Sequence, residues 1–99
     1  MATDVLASGV RTNTGQFQNQ AGASLRRTRV KAIYLVPTAT AGSLVFRDGG
    51  SSGTIKLTLN TIVNASNVDY IELPGEGMLF ETDVHVTVSN IASVMVFYG

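Results

Sequence analysis

Beyond Ser24, apolar and polar side chains alternate with a period of two along most of the chain. Successive side chains of a strand point to opposite faces, so this rhythm predicts half-buried strands rather than helices. The clearest case is TIKLTLN, where Ile55, Leu57 and Leu59 are expected inward and Lys56, Thr58 and Asn60 outward. DVHVTVSN repeats the pattern, with Val84, Val86 and Val88 inward and His85, Thr87 and Ser89 outward. In GSLVFRD, Leu44 and Phe46 share a face, and the glycine-rich residues 48–53 join this strand to TIKLTLN as a long-looped hairpin. Short strands at residues 69–73 and 78–80 flank Pro74-Gly75-Glu76-Gly77, a strong turn signal. The last strand, ASVMVFYG, sets Val94, Val96 and Tyr98 against Ser93, Met95 and Phe97. Apolar on both faces, it predicts a central strand or one pressed against another chain.

The strand in SLRRTRVKAIYLVP is less uniform. Strict alternation places Val30, Ala32, Tyr34 and Val36 on one face, and Arg27, Arg29, Lys31, Ile33 and Leu35 on the other. That second face begins charged and ends apolar. One end is therefore expected in water and the other under a second sheet or another subunit, with Pro37 stopping the ladder. Seven or eight short strands at roughly ten-residue spacing predict an all-β, antiparallel, jelly-roll-like β-sandwich, with a small closed barrel as the rival. Residues 61–67, TIVNASN, read either as a connection or as a brief helical turn.

Residues 1–23 are different. An edge strand is expected within residues 4–10, followed by the polar stretch RTNTGQFQNQAGA, in which Phe17 is the one aromatic residue. Weak periodicity and many amides suit a surface loop, or an arm laid across a neighbouring subunit and anchored by Phe17. Residues 24–99 are then the sandwich body. The first residues lack the positive start and apolar run of a secretory signal, and no apolar stretch reaches the length of a membrane-spanning helix.

Composition strengthens the β reading. Val, Ile and Thr supply 28 of the 99 residues and Glu only three, a balance that favours pleated sheets. Seven basic and seven acidic residues cancel. A balanced surface is poorly suited to nucleic acid, and it permits dense self-association. With no cysteine to form a disulfide, a domain this small is expected to gain stability by oligomerising.

Candidate chemistry is sparse. His85 reads as a partly exposed sheet histidine with no second histidine and no cysteine to share a metal. Asp69, Glu72, Glu76, Glu81 and Asp83 form a loose acidic run without the spacing of a calcium loop, and they read as a solvated or inter-subunit surface. Arg26, Arg27, Arg29 and Lys31 concentrate positive charge, with Arg27, Arg29 and Lys31 as a ribbon along one strand face. They read as pairing with that run, within one subunit or between neighbours, or as ordinary edge-strand charges, with a phosphate backbone the least favoured partner. The glycine turns lack a following GK[ST] and helix, so they read as backbone steering rather than phosphate loops. No catalytic residue, metal ligand or cofactor is assigned. Phe17, Arg27, Arg29, Lys31, Ile33, Leu35, Glu72, Glu76, Met95 and Phe97 are the candidate interface residues.

The stretches KAIYLV within residues 27–36, FRDGGSSG at 46–53, ELPGEGMLFETDVHVTVSN at 72–90 and the valine-rich strand at 94–99 resemble small structural proteins of tailed bacteriophages. The likeness covers about the last 75 residues and leaves out the leader before Ser24. It implies a non-enzymatic virion component, trimeric or otherwise repeated, made in the host cytoplasm. A capsid decoration or cement protein contacting the major capsid protein is the expected role, with residues 7–23 as an anchoring arm. A head–tail junction, tail or fibre position is the structural alternative. A small host-glycan-binding module, built around Tyr70 with Glu72 or around Tyr34, is the alternative from another class.

Overall fold

The computed structural model describes residues 5–63 and 68–99. Among these residues nine strands follow in order: β1 (Leu6–Ala7), β2 (Gly15–Gln16), β3 (Thr28–Pro37), β4 (Ser43–Asp48), β5 (Thr54–Asn60), β6 (Asp69–Glu72), β7 (Met78–Phe80), β8 (His85–Ser89) and β9 (Ile91–Tyr98). Every pairing is antiparallel. One sheet runs β1-β9-β3-β6, with β7 also on β3, and the other runs β2-β8-β4-β5. The ladders therefore form two sheets instead of one closed barrel. β9 is central in its sheet, flanked by β1 and β3, with Val94, Val96 and Tyr98 in the core and Met95 and Phe97 on the outer face.

The strand that alternation does not anticipate is β2. It is two residues long and pairs with β8 through its backbone, so it carries no hydropathy signal. The edge strand expected in residues 4–10 is reduced to Leu6–Ala7, with Asp4 outside the described residues. Residues 64–67 of the ambiguous connection also lie outside them.

A single buried cluster draws on both sheets. Val30, Ile33, Leu35, Val94 and Val96 come from the first, and Leu44, Phe46 and Val86 from the second. Phe17 also belongs to it. Its ring is fully buried and stacks on Phe46 at 5.9 Å with planes 5° apart. The polar leader thus contributes to this chain's own core.

Two bulges move residues off their expected faces. On β3, Val30 pairs with Tyr98 but Ala32 with Phe97, so Lys31 is an extra residue with no partner of its own on β9. One extra residue reverses the in–out phase of everything beyond it. Val30 therefore joins Ile33 and Leu35 in the core, while Ala32 and Tyr34 share the outer face with Met95 and Phe97. Gly77 sits against this bulge with φ 94°, and a Cβ there would lie 2.5 Å from the Val30 carbonyl oxygen. On β5, Phe46 pairs with Leu57 but Arg47 with Ile55, so Lys56 is the extra residue. Ile55, expected inward, turns to the outer face and is 53% exposed.

The hairpin loop between β4 and β5 is locked to the loop before β8 by two carboxylates. Asp48 accepts hydrogen bonds from the amides of Glu81 (2.8 Å), Thr82 (2.8 Å) and Asp83 (3.4 Å). Asp83 in return accepts from the amides of Gly49 (3.0 Å) and Gly50 (3.1 Å) and from the Gln16 side chain. Positive φ at Gly49 and Gly50 turns both amides toward one anion, a nest that residues with a Cβ rarely form. The nest cradles a carboxylate of the same chain.

Candidate functional site

The outer face of the first sheet carries the most concentrated candidate surface. Register places Tyr34 between Tyr70 of β6 and Met95 of β9, forming one row of large side chains. In the next row Ala32 lies between Glu72 and Phe97, and Ala7 of β1 follows Phe97. A methyl group flanked by long side chains leaves a depression. A hollow of about 320 Å³ opens there, walled by Tyr70, Phe97, Lys31, Glu72 and Val5. Tyr70 meets Phe97 edge-on at 5.9 Å and 70°, yet remains 57% exposed. The hollow therefore combines an accessible aromatic ring, an ammonium group and a carboxylate.

Lys31, Glu72, Met95 and Phe97 of the expected interface residues gather on this face. Glu76 is exposed in the adjoining turn. Arg29 is exposed and donates to the Gly77 carbonyl at 3.5 Å. Arg27 pairs with Glu81 at 3.0 Å, so one link between the basic ribbon and the acidic run forms within the chain. Both groups are largely exposed, and such a pair contributes about 0–1 kcal/mol. Phe17, Ile33 and Leu35 lie elsewhere, fully enclosed in the core, and present no surface to a neighbour. For Ile33 and Leu35 the second sheet is the cover, the first of the two expected for the apolar end of their face. For Phe17 the cause is the fold-back of the leader. Ala32 is the residue that sequence reading misses, because its smallness matters only once register sets it between Glu72 and Phe97.

The outer face of the second sheet carries a polar row, Gln16, His85 and Arg47, in register across β2, β8 and β4. His85 points outward as expected but is covered, at 6% exposure, not partly exposed. Its Nδ1 and the Arg47 Nε are buried without hydrogen-bond partners. Burial holds the imidazole pKa below its usual 6.5, and the Arg47 and Arg11 charges lower it further against an opposing pull from Asp83. Between the depressed native pKa and 6.5 the unfolded chain binds the extra proton, so stability falls as pH drops through that window. His85→Gln is expected to flatten this dependence, read as the urea midpoint at a series of pH values from about 7.5 to about 5. An unchanged slope in the variant would assign the effect to another group.

Among the described residues, no group of three or more His, Cys, Asp or Glu side chains is placed to hold a metal ion. No protein-family model, curated protein or solved structure matches the chain.

Proposed function

We propose that this chain is a structural, non-catalytic protein of a tailed-bacteriophage particle: a capsid decoration or cement protein with a jelly-roll-like sandwich. In this reading it is a homo-oligomer, with a trimer favoured, and it seats the outer face of the β1-β9-β3-β6 sheet on the major capsid protein. The observation that carries the reading is the row Tyr70, Tyr34, Met95 with Phe97 beside it, an apolar strip on the outside of a sheet whose other face already serves the core. A sheet with one face committed to its own core normally turns polar residues outward, and an apolar outer strip marks a contact surface. Zero net charge lets copies crowd on a lattice, and repetition multiplies modest contacts into firm attachment. The resemblance of about the last 75 residues to small structural proteins of tailed phages supports the particle as its place.

Particles prepared without the protein test it directly. Re-added wild-type chain is expected to bind them and to restore resistance to heat, while Tyr70→Lys, altered at an exposed position, folds but binds poorly. Equal durability with and without the protein, or density confined to the head–tail junction, tail or fibre, would remove the cement role.

The hollow favours one second reading, a host-glycan site. An exposed tyrosine face suits the apolar side of a sugar, and Glu72 and Lys31 suit its hydroxyl groups. Micromolar binding on a broad glycan array, lost in Tyr70→Ala, is the expected signature, and a clean negative retires it.

A further inference from the structure

We propose that the free edge of β5 is a self-association surface, on which β5 of a second copy pairs antiparallel about a twofold axis at Thr58. The inference rests on the reading of the chain as an assembling protein and adds a twofold contact that pairs free copies, distinct from the threefold grouping favoured on the particle. Among the described edge strands β5 stands apart. β1 and β2 have two residues each, β7 has three, and β6 has four with an acid at each end. β5 has seven residues and a single charge, Lys56, and no described strand pairs with its outer side. Monomeric sheet proteins shorten, charge or cover such edges, because a row of free amides and carbonyls is a template for another strand.

Register identifies which groups are free. The Thr61 amide donates to the Gly42 carbonyl of the neighbouring chain segment at 2.9 Å. Alternation along the ladder then turns Leu59 and Leu57 toward β4, and Thr58 and Asn60 toward the open edge. A twofold axis at Thr58 would exchange two hydrogen bonds between the Thr58 residues of the two copies. It would also set Leu57 beside Leu59 of the second copy, on the side facing the core. Both leucines are only half-buried in one copy, so the partner strand completes their cover. Lys56 would face Asn60 of the second copy, so no like charges meet. Ile62 and Val63, which follow β5, are 76% and 62% exposed and extend the apolar margin. The length, low charge, half-covered leucines and self-complementary register together fit a second copy of this strand.

The chain contains no cysteine, so a single introduced thiol reports one contact. Wild-type chain is expected to show a concentration-dependent dimer in sedimentation velocity, and Thr58→Cys to give a disulfide-linked dimer under mild oxidation. Paired residues here would have Cα atoms about 5.5 Å apart, within disulfide range. Thr58→Pro removes a free-edge amide while sparing the bonds to β4, and it is expected to abolish the dimer with the circular dichroism spectrum unchanged. If that variant fails to fold, the cysteine result decides alone. A monomer at every concentration without cross-linking overturns the proposal. So does self-association that persists in folded Thr58→Pro but disappears in Tyr70→Lys; that outcome would move the contact to the other sheet and leave the assembly reading standing.

Discussion

Phe17→Ala is expected to cost the isolated chain about 3–5 kcal/mol and to lower its melting temperature by about 15 °C or more. The ring is fully buried, stacked on Phe46, and deletion of a buried aromatic leaves a cavity that neighbours refill only in part. Its backbone is committed as well. The Phe17 amide donates to the Val84 carbonyl at 2.8 Å, and its own carbonyl accepts from Leu25 at 3.0 Å. Farther back in the leader, Ser8 and Val96 are joined twice, through the Ser8 amide at 2.9 Å and the Ser8 hydroxyl at 3.0 Å. Small domains have about 5–15 kcal/mol in total, so this one ring is a large share. Urea unfolding at low protein concentration measures the cost free of assembly. An arm anchored on a neighbour would show the opposite result: an unchanged midpoint in the monomer, with the loss confined to the oligomer.

Alternation along a chain reveals strands but not every face they present. Strand identity was legible for β4, β5, β8 and β9, because each carries at least two branched or aromatic residues at period-two spacing and the strand faces a buried neighbour. On β3 the division of Ala32, Tyr34 and Val36 from Ile33 and Leu35 was legible, but the side taken by Val30 was not, since the residue that shifts the phase, Lys31, looks like any other member of a basic ribbon. A bulge is a feature of two strands together, and period counting on one strand cannot detect it. The placement of Phe17 was hidden for a related reason. A lone aromatic among amides carries no periodicity, and its place against Phe46 is a long-range contact that local pattern does not encode. The hollow beside Tyr70 depends on such contacts as well, because Ala32 lies there between Glu72 and Phe97 of two other strands. Candidate contact residues on β6 and β9 were readable from their chemistry. Their convergence was not.

Asp48→Ala and Asp83→Ala are each expected to cost about 2–4 kcal/mol, and the double variant little more than the larger single. Each carboxylate satisfies amides that the other residue's loop presents, so removing either one releases both halves of the clamp. A hydrogen bond to an ionised acceptor is worth about 1.5–3 kcal/mol, and Asp48 receives three, discounted because its loop is partly open to water. By contrast, Arg27→Ala, which breaks an exposed ion pair, is expected to change stability by less than about 1 kcal/mol. The clamp also has a pH signature. Burial raises the Asp48 carboxyl pKa, but the amides of Glu81, Thr82 and Asp83 together with Lys56 outweigh it and hold the group below its usual 3.8. The unfolded chain therefore takes up this proton first as pH falls. The Asp48 contribution is fully present above about pH 4 and is lost as pH descends through the depressed native value. Asp48→Asn, which cannot titrate, is expected to start less stable at neutral pH and to lose less on acidification, measured by urea midpoints from pH 6 down to about 2.5. Additive costs in the double variant would show that the two carboxylates act separately instead of as one clamp, and parallel acid curves for wild type and Asp48→Asn would assign the acid response to another group.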